Sequence, residues 1–162
     1  MALPRTFVGL GTNLGDRLLH LAEATRRLAA VPGVALVARG PVVETPALLP
    51  RGERFPQPPY LNSAVELATA VPPTALLAAL LEVEAAMGRR RTTRWAPRVI
   101  DLDLLLVGDL VLAVPGLTLP HPGLARRRFV LEPLAALAPD LVHPTDGRTL
   151  SALLQGVLGS AA

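Results

Sequence analysis

The sequence lacks two residue types whose absence excludes whole classes of chemistry. There is no cysteine among the 162 residues, so disulfide bonds, zinc-thiolate sites and thiol nucleophiles are excluded, and nothing favours an oxidising compartment. Lysine is absent as well, because all 16 basic residues are arginine. A Walker A loop, a protein-kinase site and a Schiff base each require a lysine amine, so these mechanisms are also excluded.

Long uninterrupted apolar runs are missing too. The stretch from Leu67 to Met87 contains two prolines together with Glu82 and Glu84, and it therefore does not fit a membrane span. Near the N-terminus, Arg5 and Asp16 interrupt the apolar residues before the core of a secretory signal can form. We therefore expect a cytoplasmic protein with no membrane partner.

The length and the apolar share of 51% indicate a single domain over residues 1–162. Hydrophobic periodicity predicts the order β-α-β-β-α-β in the first two thirds, typical of an α+β ferredoxin-like fold with helices on one face of an antiparallel sheet. A C-terminal hairpin and helical extension follow. The predicted strands are Thr6–Leu10, Val34–Val43, Leu61–Leu67 and Val99–Val107, the last turning at Gly108 and Asp109 into Leu110–Val114, and the predicted helices are Arg17–Ala30, Thr74–Met87, 122–138 and 149–158.

The sharpest chemical feature is a pair of acids, Asp101 and Asp103, inside an otherwise apolar strand. Period-two alternation directs both carboxylates to one face of the strand, while Ile100, Leu102 and Leu104 face the other side. Two adjacent carboxylates repel each other unless a cation is present, and oxygen ligands favour magnesium brought in with phosphates. As an isolated motif, the pair is more typical of two solvent-facing acids on an edge strand, and the neighbouring residues reverse that preference.

An arginine-rich segment, residues 88–98, precedes this strand and contains five arginines and Trp95. Guanidinium groups match phosphate oxygens in geometry and charge, so the segment is a candidate for binding a polyphosphate. Taken alone, such a run is also typical of a solvated face or an RNA-binding patch. Together with the paired acids, it supplies what magnesium-triphosphate chemistry needs.

Two further clusters carry groups suited to ligand binding. His121 and the run from Arg126 to Phe129 offer a hydrogen-bond donor, positive charge and an aromatic face, although His121 alone is more typical of an ordinary surface turn. Tyr60 and Asn62 lie on one face of a predicted strand, where an aromatic ring for stacking adjoins an amide able to pair with a heterocycle. Packing of Tyr60 in the core fits the sequence as well.

The segment Arg94-Trp95-Ala96-Pro97-Arg98-Val99-Ile100-Asp101-Leu102-Asp103 resembles R-W-G-P-R-x-x-D-L-D, a signature of the 6-hydroxymethyl-7,8-dihydropterin pyrophosphokinase family. The resemblance extends over nearly the whole chain, from the glycine-rich stretch at residues 9–15 through Tyr60-Leu61-Asn62 to Pro120-His121 and Arg127-Arg128-Phe129. It implies an enzyme of folate synthesis with ATP and the pterin as partners. In the implied reaction, the pterin hydroxymethyl oxygen attacks the β-phosphorus of ATP and AMP leaves.

The resemblance also implies roles for individual residues. Two magnesium ions would bridge the phosphates at the metal ligands, and the pterin would be stacked between two aromatic rings. The implied metal ligands are Asp101 and Asp103; the catalytic residues are Arg91, Arg98, Asp101 and Asp103; the ATP-binding residues are Glu84, Arg89, Arg91, Arg94, Arg98, Leu104, His121 and Arg127; and the pterin-binding residues are Thr45, Pro46, Leu48, Tyr60, Asn62, Trp95, Asp101 and Phe129.

The chain departs from the family pattern at three positions on the nucleotide side, Leu81, Gly116 and Pro122, which bear on affinity more than on reaction type. Two other functions fit part of the sequence. A ferredoxin-like RNA-binding module would use the arginines on phosphates and exposed aromatics for stacking, and a two-metal nuclease would need further acidic ligands. We expect the pyrophosphokinase, acting as a monomer without nucleic acid.

Overall fold

The computed structural model describes residues 2–46, 58–88 and 99–160. In these ranges, five strands form one antiparallel sheet, two short strands form a separate hairpin, and helices cover both faces of the larger sheet. The strands are β1 (Arg5–Thr12), β2 (Val34–Arg39), β3 (Val43–Thr45), β4 (Tyr60–Thr69), β5 (Asp101–Val107), β6 (Leu112–Val114) and β7 (Leu117–Leu119), and the helices are α1 (Arg17–Ala29), α2 (Pro73–Ala86), α3 (Arg128–Leu137) and α4 (Leu150–Ser160).

The larger sheet has the strand order β2-β4-β1-β5, with β3 also paired to β4. This is the order expected of the ferredoxin-like arrangement, so the predicted fold class is confirmed. The strand predicted over Val34–Val43 is divided into β2 and β3, which pair with successive parts of β4. Gly40 lies at the division, and its N–H donates to the carbonyl of Ala64 at 2.7 Å, so the edge remains attached to β4 between the two strands.

Helices α1 and α2 pack on one face of the sheet, as predicted. Helix α1 begins after Asp16, whose carboxylate accepts a hydrogen bond from the backbone N–H of Leu19 at 3.2 Å. Helix α2 begins at Pro73, a residue tolerated in the first turn because its missing N–H would have no helical partner. Their apolar sides bury leucines such as Leu28 and Leu80 against the sheet.

The opposite face of the sheet is covered by α3 and α4, which the sequence-based expectation of helices on one face did not include. Phe7 and Leu106 on the sheet lie in one buried cluster with Leu134 of α3 and Leu153 of α4. The helix predicted over 122–138 is shorter than expected, since the chain is helical only from Arg128 to Leu137 and forms turns before it.

The predicted pairing of residues 110–114 with the strand that ends at Val107 is wrong. The chain does turn at Gly108, but the N–H of Gly108 donates to the carbonyl of Arg5 at 2.7 Å, and β6 pairs with β7 instead. Pro115 and Gly116 join β6 to β7, and Gly116 has a φ of 82°, the left-handed conformation that a Pro-Gly turn requires at its second central position. This turn signal in the sequence identifies the correct hairpin.

Candidate active site

Within the described ranges, the candidate residues of the sheet strands lie at one end of the larger sheet. Strands β4 and β5 begin there, at Tyr60 and Asp101, and β1 ends there at Thr12. Because β1 is antiparallel to its two neighbours, β4 and β5, the first residues of β4 and β5 lie beside the last residues of β1. The topology thus brings together segments that are far apart in the sequence.

Both acids of β5 project from the same face of the sheet, as their spacing predicts. Leu102 and Leu104 are 5% and 3% exposed on the core face, under α1 and α2. The side chain of Asp103 is 50% exposed on the other face, and Asp101 is half-buried. The acids are therefore accessible to a ligand.

Strand β1 carries a glycine opposite each acid of β5. Gly11 is the cross-strand partner of Asp101 on one side and of Asn62 on the other, and Gly9 is the partner of Asp103. A Cβ atom at Gly11 would lie 3.1 Å from Oδ1 of Asn62 and 3.6 Å from Cδ1 of Tyr60. The central strand therefore forms a floor without side chains between the amide of Asn62 and the carboxylate of Asp101.

Asn62 is held by the short edge strand β3. Its Nδ2 donates to Oγ1 of Thr45 at 2.9 Å, and the residue is 7% exposed. Thr45 is the cross-strand partner of Tyr60, so these three residues share one sheet face. Pro46 follows Thr45 directly. The structure thus brings together these four residues predicted to bind the pterin.

His121 lies beside Asp103. Its backbone N–H donates to the carbonyl of Leu105 at 2.9 Å, and Leu105 is the extra residue of a bulge, because Phe7 lies opposite Leu106 while Val8 lies opposite Leu104. This contact brings the imidazole Nε2 to 3.8 Å from Oδ1 of Asp103.

The imidazole of His121 is neutral at pH 7. Burial lowers its pKa below the ordinary value of 6.5, and the charge of Arg127 lowers the pKa further. Its Nδ1 accepts a hydrogen bond from the N–H of Gly123 at 3.1 Å, which places the proton on Nε2. His121 therefore presents a hydrogen-bond donor, not a positive charge, toward Asp103.

Arg127 and Phe129 lie at the start of α3. Arg127 is exposed and precedes the first helical residue, and its guanidinium packs over Gly123, where an added Cβ would lie 2.8 Å from Cζ. Phe129 is half-buried in the first turn. In the sequence, both residues come shortly after the turn that carries His121. The start of α3 therefore contributes a cation and an aromatic ring near that turn.

Two residues predicted to bind ATP lie on the core side of β5. Glu84 is 4% exposed on α2, and its Oε2 accepts a hydrogen bond from the N–H of Leu102 at 2.8 Å. The side chain of Leu104 is buried in the core.

The remaining predicted residues, Leu48, Arg89, Arg91, Arg94, Trp95 and Arg98, lie outside the described ranges. Within 2–46, 58–88 and 99–160, no group of three or more histidine, aspartate or glutamate residues is placed to hold a metal ion, and no helix is long and apolar enough to cross a membrane.

Comparison with known proteins identifies the family. Residues 7–139 match the model of the family described as 7,8-dihydro-6-hydroxymethylpterin-pyrophosphokinase. The chain belongs to this family. It is 45% identical over 140 residues to the 2-amino-4-hydroxy-6-hydroxymethyldihydropteridine pyrophosphokinase of Methylorubrum extorquens, covering 86% of each chain. The enzyme of the same name from Pseudomonas aeruginosa is 41% identical over 152 residues, which cover 94% of this chain and 91% of that protein.

Solved structures of this pyrophosphokinase type fused to a second enzyme have the same fold. A Plasmodium falciparum HPPK-DHPS structure superposes with a TM-score of 0.75 at 14% identity, and it covers 97% of this chain. The present chain spans 46% of that fused protein. At this identity, the likeness supports the fold alone.

Family membership confirms the predicted activity. The chain is an ATP-dependent pyrophosphokinase of folate biosynthesis that uses ATP with magnesium and hydroxymethyldihydropterin. The RNA-binding alternative is not supported.

Sequence reasoning ended the first strand at Leu10, whereas β1 continues to Thr12 and includes Gly11. It also assigned no role to Asn13, Arg17 or Glu44, which lie at this end of the sheet. Asn13 is fully buried, and its Nδ2 donates to the carbonyl of Pro58 at 3.2 Å. An amide side chain within the glycine-rich stretch was the available signal, but its distant partner was not visible in the sequence.

Proposed function

We propose that the pterin lies across the glycine floor of β1, with its heterocycle edge at Asn62 and its hydroxymethyl group toward Asp101. The row of Asn62, Gly11 and Asp101 across three strands is the observation that carries this proposal. Neighbouring strands are about 4.8 Å apart, so the outer residues of the row are separated by about 10 Å. That span suits a flat bicyclic ring between an amide and a carboxylate.

The residues around this floor suit a pterin. The amide of Asn62 is oriented by Thr45, which leaves its carbonyl oxygen, the atom nearest the glycine floor, to accept from a heterocyclic N–H. Tyr60 lies beside Gly11 and supplies an aromatic surface. We propose that Phe129 stacks on the face of the pterin opposite to Tyr60 and that Pro46 contacts the edge of the pterin ring. We assign Leu48 and Trp95 to the same slot by family resemblance.

The two acids fit the magnesium that accompanies ATP. Magnesium prefers oxygen ligands and usually keeps some of its coordination sites for water and substrate phosphates, so two accessible carboxylates are a sufficient protein contribution. We propose that Asp101 and Asp103 hold two ions. Bound magnesium neutralises charge on the phosphates. The acids orient the triphosphate so that its β-phosphorus faces the hydroxymethyl oxygen.

The reaction joins the hydroxymethyl oxygen to the β-phosphorus and breaks the bond from that phosphorus to the oxygen bridging to the α-phosphorus. The hydroxyl proton is released, and AMP leaves with the bridging oxygen. His121 donates a hydrogen bond from Nε2 to a phosphate oxygen, and Arg127 adds positive charge. We assign Glu84, Leu104, Arg89 and Arg94 to the nucleotide and Arg91 and Arg98 to catalysis by family resemblance.

An assay of AMP release by the purified protein tests this proposal. Release should require ATP, magnesium and 6-hydroxymethyl-7,8-dihydropterin together. The Asn62→Ala variant should raise the KM for the pterin and leave the KM for ATP near the wild-type value, since the amide reads only the heterocycle. AMP release that is independent of the pterin would overturn the assignment, and so would an Asn62→Ala variant with unchanged pterin KM.

We further propose that a single pyrophosphokinase domain spans residues 1–162 and acts as a monomer in the cytoplasm. All site residues assigned above belong to one chain, and ATP is available in the cytoplasm. Light scattering of the purified protein at working concentration tests the monomer, because a stable dimer would double the measured mass.

A further inference from the structure

Arg17 contacts strand β3 and the residue that directly precedes β4, beside the proposed pterin slot. It is the first residue of α1, and its Nη1 donates to the carbonyl of Pro59 at 2.8 Å. The same nitrogen lies 2.9 Å from Oε2 of Glu44. Glu44 directly precedes Thr45, and Pro59 directly precedes Tyr60. One guanidinium therefore joins the last part of β3 to the chain that enters β4.

Asn13 supports the same region from the glycine-rich stretch. It donates to the carbonyl of Pro58, while Arg17 donates to that of Pro59. The carbonyl is the only polar group in the backbone of a proline, since its nitrogen carries no hydrogen. The two side chains therefore satisfy the available backbone groups of consecutive residues just before Tyr60.

We infer that Arg17 is a positioning residue for the pterin, acting through Glu44 and Pro59 on the alignment of Thr45 with Tyr60 and Asn62. This inference rests on the pterin slot proposed above. Strand β3 has three residues and pairs only with the start of β4 among the described residues, so few backbone bonds hold Thr45 in register. A displacement of β3 would disrupt the hydrogen bond that orients the Asn62 amide.

Arg17 contributes to alignment more than to overall stability. The side chains of Arg17 and Glu44 are 28% and 54% exposed, and an ion pair at such a position contributes little to folding. The hydrogen bond to a neutral carbonyl is charge-assisted but local. Loss of the guanidinium should therefore change the geometry of the slot without unfolding the domain.

The test is a kinetic comparison of Arg17→Ala, Arg17→Lys and Arg26→Ala. Arg26 is a matched control because it lies on the same helix and forms an exposed ion pair with Glu23 away from the site. We expect Arg17→Ala to raise the KM for 6-hydroxymethyl-7,8-dihydropterin about tenfold, in line with the loss of one charge-assisted hydrogen bond. The KM for ATP and kcat at saturating pterin should remain near wild type. Arg17→Lys should restore part of the loss, and Arg26→Ala should behave as wild type.

An unchanged pterin KM in Arg17→Ala, or an equal rise in the KM for ATP, would overturn the inference. If Arg17→Ala melts well below the wild type, the Glu44→Gln variant decides instead, because it removes the ion pair at an exposed carboxylate. Glu44→Gln should raise the KM for the pterin. An unchanged pterin KM in Glu44→Gln would overturn the inference. Asn62→Ala separates the two proposals. If that variant has a wild-type pterin KM, the slot itself is wrong, whereas a defect in Asn62→Ala without one in Arg17→Ala contradicts the role of Arg17 alone.

Discussion

The carboxylate of Glu84 accepts a hydrogen bond from the backbone N–H of Leu102 at 2.8 Å, from the side of the sheet opposite to the acids. Leu102 lies between Asp101 and Asp103 on β5, an edge strand among the described residues. Edge strands present unpaired N–H groups, and Glu84 satisfies one of them inside the protein. A buried residue of α2 thereby holds the strand that carries both proposed magnesium ligands.

We predict that Glu84→Ala lowers the free energy of unfolding by about 2 kcal/mol, because the N–H of Leu102 is left buried without this acceptor. Glu84→Gln keeps an acceptor oxygen and should lose clearly less. Urea unfolding followed by circular dichroism measures both. The control is Glu82→Ala, at an exposed position of the same helix, which should change stability by no more than about 0.5 kcal/mol. Equal losses in the alanine and glutamine variants would contradict the role of this hydrogen bond.

Asp101→Asn and Asp103→Asn should each lower kcat by about 100-fold or more, because the charge that holds magnesium and orients the triphosphate is halved. Their melting temperatures should stay close to wild type, since the core face of β5 is unaltered. AMP release measured over a magnesium titration gives the effect. Asp109→Asn, in the exposed turn after β5, is the control and should retain activity. Wild-type turnover in either site variant would exclude that residue as a ligand.

Gly11→Ala tests the floor of the slot. The added Cβ would lie 3.1 Å from Oδ1 of Asn62, so the amide must move away from its position. We expect pterin affinity to fall about tenfold, or roughly 1.4 kcal/mol, with little change in ATP affinity. Calorimetric titration with the pterin measures the affinity. Gly159→Ala has no atom within 4 Å of the new Cβ and should bind the pterin as the wild type does. Undiminished binding by Gly11→Ala would place the pterin elsewhere.

The stability of the protein should decrease as the pH falls below about 6.5, partly because of His143. Its Nδ1 accepts hydrogen bonds from the N–H groups of Thr145 and Asp146 at 3.3 and 3.0 Å. Burial lowers its pKa below 6.5, Asp146 opposes this shift, and Arg148 adds to it. The unfolded chain therefore binds a proton at a pH where folded His143 does not, and acid favours unfolding.

His143→Asn checks this dependence, because asparagine keeps an acceptor near Nδ1 without titrating. The loss of melting temperature between about pH 7.5 and pH 5.5 should be smaller in the variant than in the wild type. Some loss should remain, since the pKa of His121 is lowered in the same direction. The same loss in both proteins would show that His143 titrates alike in the folded and unfolded states.

Sequence reasoning succeeded where the signal is local. The spacing of Asp101 and Asp103 determines a shared face because side chains alternate along any strand. Asp16 and Pro73 mark the starts of α1 and α2 through the hydrogen-bonding needs of a first helical turn. The hairpin prediction failed at Gly108 because a turn residue indicates that the chain changes direction, but not which strand the next segment joins.

The sequence by itself determined the family, the fold class and the chemical types of the residues at the site. The tertiary structure decided which of those residues meet. The register of β1 with both neighbours aligns Asn62, Gly11 and Asp101 in one row, and packing at the start of α1 brings Arg17 to Pro59. Such contacts join residues distant in sequence, and they depend on the relative placement of whole strands and helices, which no local pattern of residues encodes.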